Sequence, residues 1–317
     1  MFEFEIDGNG IDFGLCVSTG QVFRWRQVQI GVWEGVIAGV WWRVRSGGDL
    51  SLFPKGDGLN PGISRVQLTP HPFPSPEREG WSEEKVYVSS NRPAEEFVGV
   101  FGVNWGDKRR FGGILGSDPG LGEAVKACAG LRVLRQDDPV EVLFSFLCSA
   151  NNHVKRIEGM VGCLAEFGEG YVFPTLEVLA RVEGSFLRTK GFGYRSERIS
   201  ACASQVLELG GLAWLEDLRG VASEKAVLEL QRLPGVGPKV AECVALFGLG
   251  HGDVVPIDTH IWNAVRRRYF PELEGGSLTL GRRRLVGDFM RDRFGGDAGL
   301  AHLVLFVDEM RDWRSRR

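Results

Sequence analysis

Cysteine is scarce in this 317-residue chain: there are six, scattered singly, with no Cys-x-x-Cys pair and no spacing that would suit a metal. That excludes a disulfide scaffold and a zinc module, and the six read as reduced, mostly buried thiols of an intracellular protein. Net positive charge is absent too. A formal charge of −3 gives no global attraction to a polyanion. Screening confines surface charges to roughly 8 Å, however, so a local basic face can still act. Arg266-Arg267-Arg268, Arg282-Arg283-Arg284 and the arginines of 314–317 are candidates, and each also reads as a solvated helix face. Long apolar runs are missing, so no membrane span is expected. The start, Met1-Phe2-Glu3-Phe4-Glu5-Ile6-Asp7, is acidic and too short in apolar run for a signal peptide.

What is present divides the chain. Hydrophobic residues make up 43 %, enough over this length for two regions with sizeable cores. Residues 13–17, 22–27, 32–37 and 40–44 alternate apolar and polar side chains between Gly-rich turns, with 50–53 and 86–88 as further strand candidates. Residues 54–81 are rich in proline and glycine and read as loops. From about residue 94 the pattern turns helical. Asp138-Pro139 opens the strongest helix, apolar nearly all round over 142–148 and therefore central and buried. The expected class is α+β: an N-terminal antiparallel sheet with connecting helices over 1–113, and a mostly helical region over 114–317.

Leu233-Pro234-Gly235-Val236-Gly237-Pro238-Lys239 lies between two apolar helical patterns, 226–233 and 240–247. Two glycines around one apolar residue let a backbone turn tightly with positive φ. The helix that follows starts with unpaired N–H groups, which suit a phosphate oxygen. Lys239 sits just inside it, an amine able to attack a carbon electrophile. Asp258 precedes a second helical run containing Ile261, Trp262 and Val265. A lysine and a carboxylate on two helix starts beside a phosphate-binding hairpin point to chemistry on DNA. The plainer reading keeps Lys239 as a phosphate contact and Asp258 as an N-cap, and capping is compatible with catalysis.

These residues resemble the helix-hairpin-helix, Gly/Pro-Asp superfamily of DNA glycosylases, and other segments match its 8-oxoguanine branch. Gly20-Gln21-Val22-Phe23-Arg24-Trp25, by itself a turn into an aromatic strand, is similar to the branch's Gly-Gln-x-Phe-Arg-Trp element. The resemblance implies that the Gly20 carbonyl accepts the N7–H that only the oxidised base carries. Guanine would oppose a lone pair to that carbonyl, a mismatch of roughly 1–3 kcal/mol. Asn151-Asn152, alone a cap and turn, is followed by Arg156; the family's counterparts imply that Asn151 fills the gap left by the extruded base and Arg156 reaches the orphaned cytosine. Gly191-Phe192-Gly193-Tyr194-Arg195, alone a lid over a core, resembles the loop whose tyrosine wedges beside that cytosine and whose arginine bonds it.

For the lesion pocket the resemblance implies Cys243 on one face of the flipped base and Phe306 on the other, with His260 on a phosphate and Gly235 and Gly237 in the phosphate-binding hairpin. His302 stands where the family carries a glutamine, so recognition of the Watson–Crick edge is expected to differ, with tolerance of other oxidised purines. No cysteine follows Cys243, which excludes the iron–sulfur cluster of related branches. The resemblance implies a bifunctional glycosylase and AP lyase acting on duplex DNA with 8-oxoguanine opposite cytosine. It further implies a monomer, DNA-associated inside the cell, with no required cofactor and a monovalent cation at the hairpin. Two alternatives remain: a monofunctional alkylpurine glycosylase, against which Lys239 argues, and a non-catalytic DNA-binding module.

Overall fold

A computed structural model describes residues 2–7, 11–46, 64–65, 85–90, 92–101, 107–134, 136–273 and 277–315. The strand expected at 50–53 lies outside these residues, as does the loop region 54–81 apart from 64–65.

The N-terminal region is a six-stranded sheet, β1 (Phe2–Asp7), β2 (Trp25–Gln29), β3 (Val32–Ile37), β4 (Val40–Ser46), β5 (Ser64–Arg65) and β6 (Lys85–Ser90), in the order β2-β3-β4-β6-β1-β5. Pairings are antiparallel except the edge pair β1–β5, where two residues run parallel. The acidic opening of the chain is therefore a strand: Phe2, Phe4 and Ile6 alternate with Glu3, Glu5 and Asp7 at the period of two that a sheet requires.

One expected strand is a helix. Residues 13–17 fall in α1 (Phe13–Ser18), capped by Asp12, whose Oδ1 accepts from the Leu15 amide at 2.8 Å. Phe13, Cys16 and Val17 are buried at helical spacing. A stretch this short satisfies both periods, and the cap decides it.

The helical region comprises α2 (Ala94–Phe101), α3 (Asp107–Ser117), α4 (Gly122–Ala127), α5 (Pro139–Ser149), α6 (Val154–Ala165), α7 (Leu176–Ala180), α8 (Gly184–Thr189), α9 (Ser196–Leu209), α10 (Leu212–Asp217), α11 (Ser223–Leu230), α12 (Pro238–Cys243), α13 (Thr259–Tyr269), α14 (Leu280–Phe294) and α15 (Ala298–Ser315). Helix α3 runs through residues 113 and 114, where the sequence suggested a division. A single core cluster extends from Ile11 to Val307, so the two regions pack as one body.

Helix α5 is the axis of that core. Asp138 caps it at Val140 and Glu141, Pro139 occupies its first turn, and Pro139 through Cys148 are all buried. Its one buried carboxylate, Glu141, is met by Arg24 from the sheet region at 3.2 Å. Burial pushes the Glu141 carboxyl up to about 7 against the pull of that guanidinium. Phe146 on the same helix stacks on Phe247 and meets Phe23 edge-on, joining sheet region, central helix and hairpin helix.

Candidate active site

Helices α11 and α12 enclose the hairpin. Gly235 takes φ +84°, and a Cβ there would lie 2.7 Å from Arg198 and 3.0 Å from Leu147, so both backbone conformation and space require glycine. Gly237 differs from the expectation: it is extended at φ −87°, ψ 177°, and occupies the N-cap position of α12. One left-handed residue is enough to reverse the chain here. Pro238 then fills the first turn, where a missing N–H costs nothing.

Lys239 follows on α12, half-buried, with Nζ 5.4 Å from the centre of the Phe146 ring. Burial pulls its amine down, but Cys243, Asp258 and Glu242 push it further up, so it rests above the ordinary lysine value. Burial raises the Cys243 thiol to about 11, against the pull of Lys239, so at neutral pH Cys243 is a thiol beside an ammonium. Past Cys243 the helix widens into one π-turn, Val244–Gly248, a local expansion often found at functional sites.

Asp258 is the N-cap of α13: Oδ1 accepts from the His260 and Ile261 amides at 2.9 and 3.0 Å. Two backbone donors on one carboxylate oxygen fix its direction. What sets its distance from Lys239 is a buried clamp that the sequence did not reveal. Glu242 on α12 accepts from the Ile257 amide at 3.0 Å and pairs with Arg283 of α14 at 2.6 Å, while Arg283 also donates to the Ile257 carbonyl. The residue before Asp258 is thus tied to the helix carrying Lys239.

Cys243, His302 and Phe306 share this neighbourhood. His302 interacts electrostatically with both Asp258 and Lys239, and Phe306 lies 6.5 Å from the His302 ring and 6.3 Å from the His260 ring. His302 is buried, and burial lowers its imidazole to about 4. It is therefore neutral at physiological pH; it interacts with the backbone of Pro256 and Gly299, and its Nδ1 has no hydrogen-bond partner among the described residues. Gly20 lies just before the sheet strand β2. It takes φ +76° with open space where a Cβ would stand, and Phe23, three residues on, packs against the Phe146 ring beneath Lys239.

A second cluster gathers the remaining candidates. Asn151, at φ +49°, is exposed on the turn between α5 and α6. The Ala150 carbonyl accepts from the Tyr194 hydroxyl at 3.0 Å and from Arg195, which also reaches the Asn151 carbonyl at 3.1 Å. Arg195 is 2 % exposed and lies 4.4 Å from the Tyr194 ring, so in this conformation it braces the loop from beneath. Tyr194 is half exposed, with Arg198 stacked 4.8 Å from its ring. Exposed Arg156 donates to the Gly191 carbonyl at 2.6 Å. The N-cap position of α6 is His153, not an asparagine; Asn152 instead bonds back to the Cys148 carbonyl at 3.1 Å.

Several arginines of the first two clusters are engaged within the fold. Arg267 pairs with Glu309, Arg268 with Asp308 and the Gly120 carbonyl, and Arg283 is the clamp. Arg282 lies over Trp262. The side chains of 314–317 lie outside the described residues. Sequence reading also missed Arg198. Its signal was available, four residues after Tyr194 and so over the same helix face.

A sheet region, a helical body around one central helix and a hairpin presenting a lysine beside a helix-capping aspartate define the helix-hairpin-helix DNA glycosylase class. No family model matches the chain. It is 32 % identical over 320 residues to the N-glycosylase/DNA lyase OGG1 of Arabidopsis thaliana, covering 98 % of this chain and 80 % of that protein. It is 36 % identical over 216 residues to the N-glycosylase/DNA lyase of Saccharomyces cerevisiae, covering 57 % of each. Among solved structures it resembles the Clostridium acetobutylicum 8-oxoguanine glycosylase/lyase in complex with duplex DNA containing cytosine opposite 8-oxoG. That likeness has a TM-score of 0.73 at 24 % identity and covers 97 % of this chain and 93 % of that one. The chain belongs to the N-glycosylase/DNA lyase family.

Proposed function

We propose that this DNA glycosylase and AP lyase removes 8-oxoguanine opposite cytosine from duplex DNA and nicks the strand through Lys239. The observation that carries the reading is the placement of Lys239 and Asp258 on two helix starts within electrostatic reach of each other, of Cys243 and of His302. Cleavage of the N-glycosidic bond builds positive charge on C1′ and the ring oxygen, and the Asp258 carboxylate stabilises it. The Lys239 ammonium first gives up a proton to solvent, and the neutral amine bonds to C1′ as the C1′–N9 bond breaks; the electron pair of that bond leaves with the base, which takes up a proton. The amine loses its proton and the sugar ring opens to a Schiff base. Loss of the C2′ proton then breaks the C3′–O bond and releases the 3′ phosphate.

The sheet region supplies the lesion-reading carbonyl of Gly20, and the helical region supplies the chemistry. Tyr194 and Asn151 enter the gap left by the flipped base, and Arg156 exchanges its Gly191 carbonyl for the orphaned cytosine. Arg195 reaches that cytosine after giving up the Ala150 and Asn151 carbonyls. Gly235, Gly237 and His260 hold the phosphates, with a monovalent cation at the hairpin. The lysine and aspartate supply nucleophile and charge stabilisation themselves, so no further cofactor is assigned. The enzyme acts as a monomer on DNA inside the cell.

Borohydride trapping on a duplex with one 8-oxoguanine opposite cytosine tests this directly. A covalent band with the native protein, lost in Lys239→Gln, is expected. Base loss revealed only by hot alkali would mean excision without lysine capture, and no base loss would reject 8-oxoguanine as substrate.

A further inference from the structure

Gln21 is 1 % exposed, and every polar atom of its side-chain amide is engaged. Nε2 donates to the Cys16 carbonyl at 3.2 Å, the Thr19 hydroxyl at 3.0 Å and the Arg132 carbonyl at 2.8 Å, while Oε1 accepts from the Leu134 amide at 2.8 Å. Its backbone carbonyl accepts from Gln136 Nε2, also at 2.8 Å. Held at side chain and carbonyl alike, Gln21 has an anchored Cα, one of the two ends of the peptide unit it shares with Gly20. That anchor fixes where the unit sits and narrows the directions open to the Gly20 carbonyl. Glycine at φ +76° supplies no side chain of its own to restrain that plane.

The anchoring segment is held by packing and by hydrogen bonds together: Leu131 and Leu134 are buried in the core, while Val133, Leu134 and Gln136 also line a cavity of about 360 Å³ with Leu246, Phe247 and Gly248. Its hydrogen bonds to Gln21 hold it against the sheet region, assisted by the Arg132 amide on Cys16 Sγ at 3.2 Å.

We infer that Gln21 is the positioning residue that aims the Gly20 carbonyl, and so sets how strongly the enzyme separates 8-oxoguanine from guanine. The inference rests on the 8-oxoguanine reading above. A carbonyl that reads one N–H works only if it cannot turn away, because a misplacement of an ångström costs on the order of a hundredfold.

Strand nicking at a preformed abasic site needs Lys239 but no base, so it separates aim from assembly. Gln21→Glu keeps size and the Leu134 acceptor but loses both N–H donors, which the Cys16, Thr19 and Arg132 oxygens share. Single-turnover excision of 8-oxoguanine opposite cytosine is expected to fall about 10- to 100-fold. Abasic-site nicking should stay within about twofold, and guanine excision relative to 8-oxoguanine should rise. Gln136→Ala, which frees only the Gln21 carbonyl, should give a milder loss with the same split, and serves if Gln21→Glu fails to fold. Parallel loss of excision and nicking would reduce Gln21 to a structural residue and overturn the inference, as would unchanged excision. A native protein that nicks abasic sites but leaves 8-oxoguanine in place would overturn the substrate reading itself, and the inference with it.

Discussion

Lys239 and His302 carry opposite burdens from the same surroundings. Cys243 and the carboxylates of Asp258 and Glu242 hold the lysine protonated, whereas burial holds the histidine neutral. An unperturbed lysine is already neutral in only about one molecule in 2,500 at pH 7, and Lys239 is held above that value. Borohydride trapping with the native enzyme should therefore rise with pH through 7 to 9. Asp258→Asn removes one charge that keeps the proton on Lys239, yet also removes the stabiliser of the cationic sugar. The second loss should dominate, lowering base excision on the order of 100-fold or more in single-turnover assays.

For His302, the folded state resists protonation and the unfolded state does not. As pH falls from about 6.5, the unfolded chain gains a proton that the folded chain takes up only near 4, so stability drops across that window. Thermal unfolding of His302→Gln should show a shallower acid loss than the native protein between pH 6.5 and 4. If His302 reads the base edge as proposed, the same substitution puts an amide there, and competition assays should show a narrower range of excised oxidised purines. The identity of His302 was plain in the sequence, but its neutrality was not, since burial depends on what the fold packs over it.

At the scale of elements, the hairpin, the central helix and the Asp258 cap could all be read from the chain, because each has a local signature: Gly-x-Gly before Pro, Asp-Pro before an apolar run, Asp before Thr-His. Helix α1 could not, because six residues satisfy two periods at once. The Glu242–Arg283 clamp was equally hidden, since its partners are 41 residues apart and look like ordinary surface charges. The clamp ties the two reacting side chains to one distance, unlike Gln21, which serves only the base. Glu242→Ala should therefore slow excision and abasic-site nicking together, by about tenfold or more, while leaving DNA affinity nearly unchanged. Breaking a largely buried pair also costs roughly 3–5 kcal/mol, so calorimetry should accompany the kinetics.

The whole molecule was legible as a class, because a strand period followed by a helical period is a long-range pattern. Its charge layout was not, because pairing is decided by folding. One continuous core joins sheet and helices through Phe23, Phe146 and Phe247, and a single unfolding transition is expected by calorimetry. Phe146→Ala should destabilise the protein by about 3–5 kcal/mol without splitting that transition. The inward pairing of the arginines has a consequence for how lesions are found. Each phosphate neutralised on binding contributes about −0.9 to the slope of log affinity against log salt, and arginines already spent on Glu309, Asp308 and Glu242 contribute nothing. Undamaged duplex is then expected to be held loosely, with a shallow slope of log affinity against log salt, and single-molecule tracking is expected to show a search by brief encounters and frequent hops.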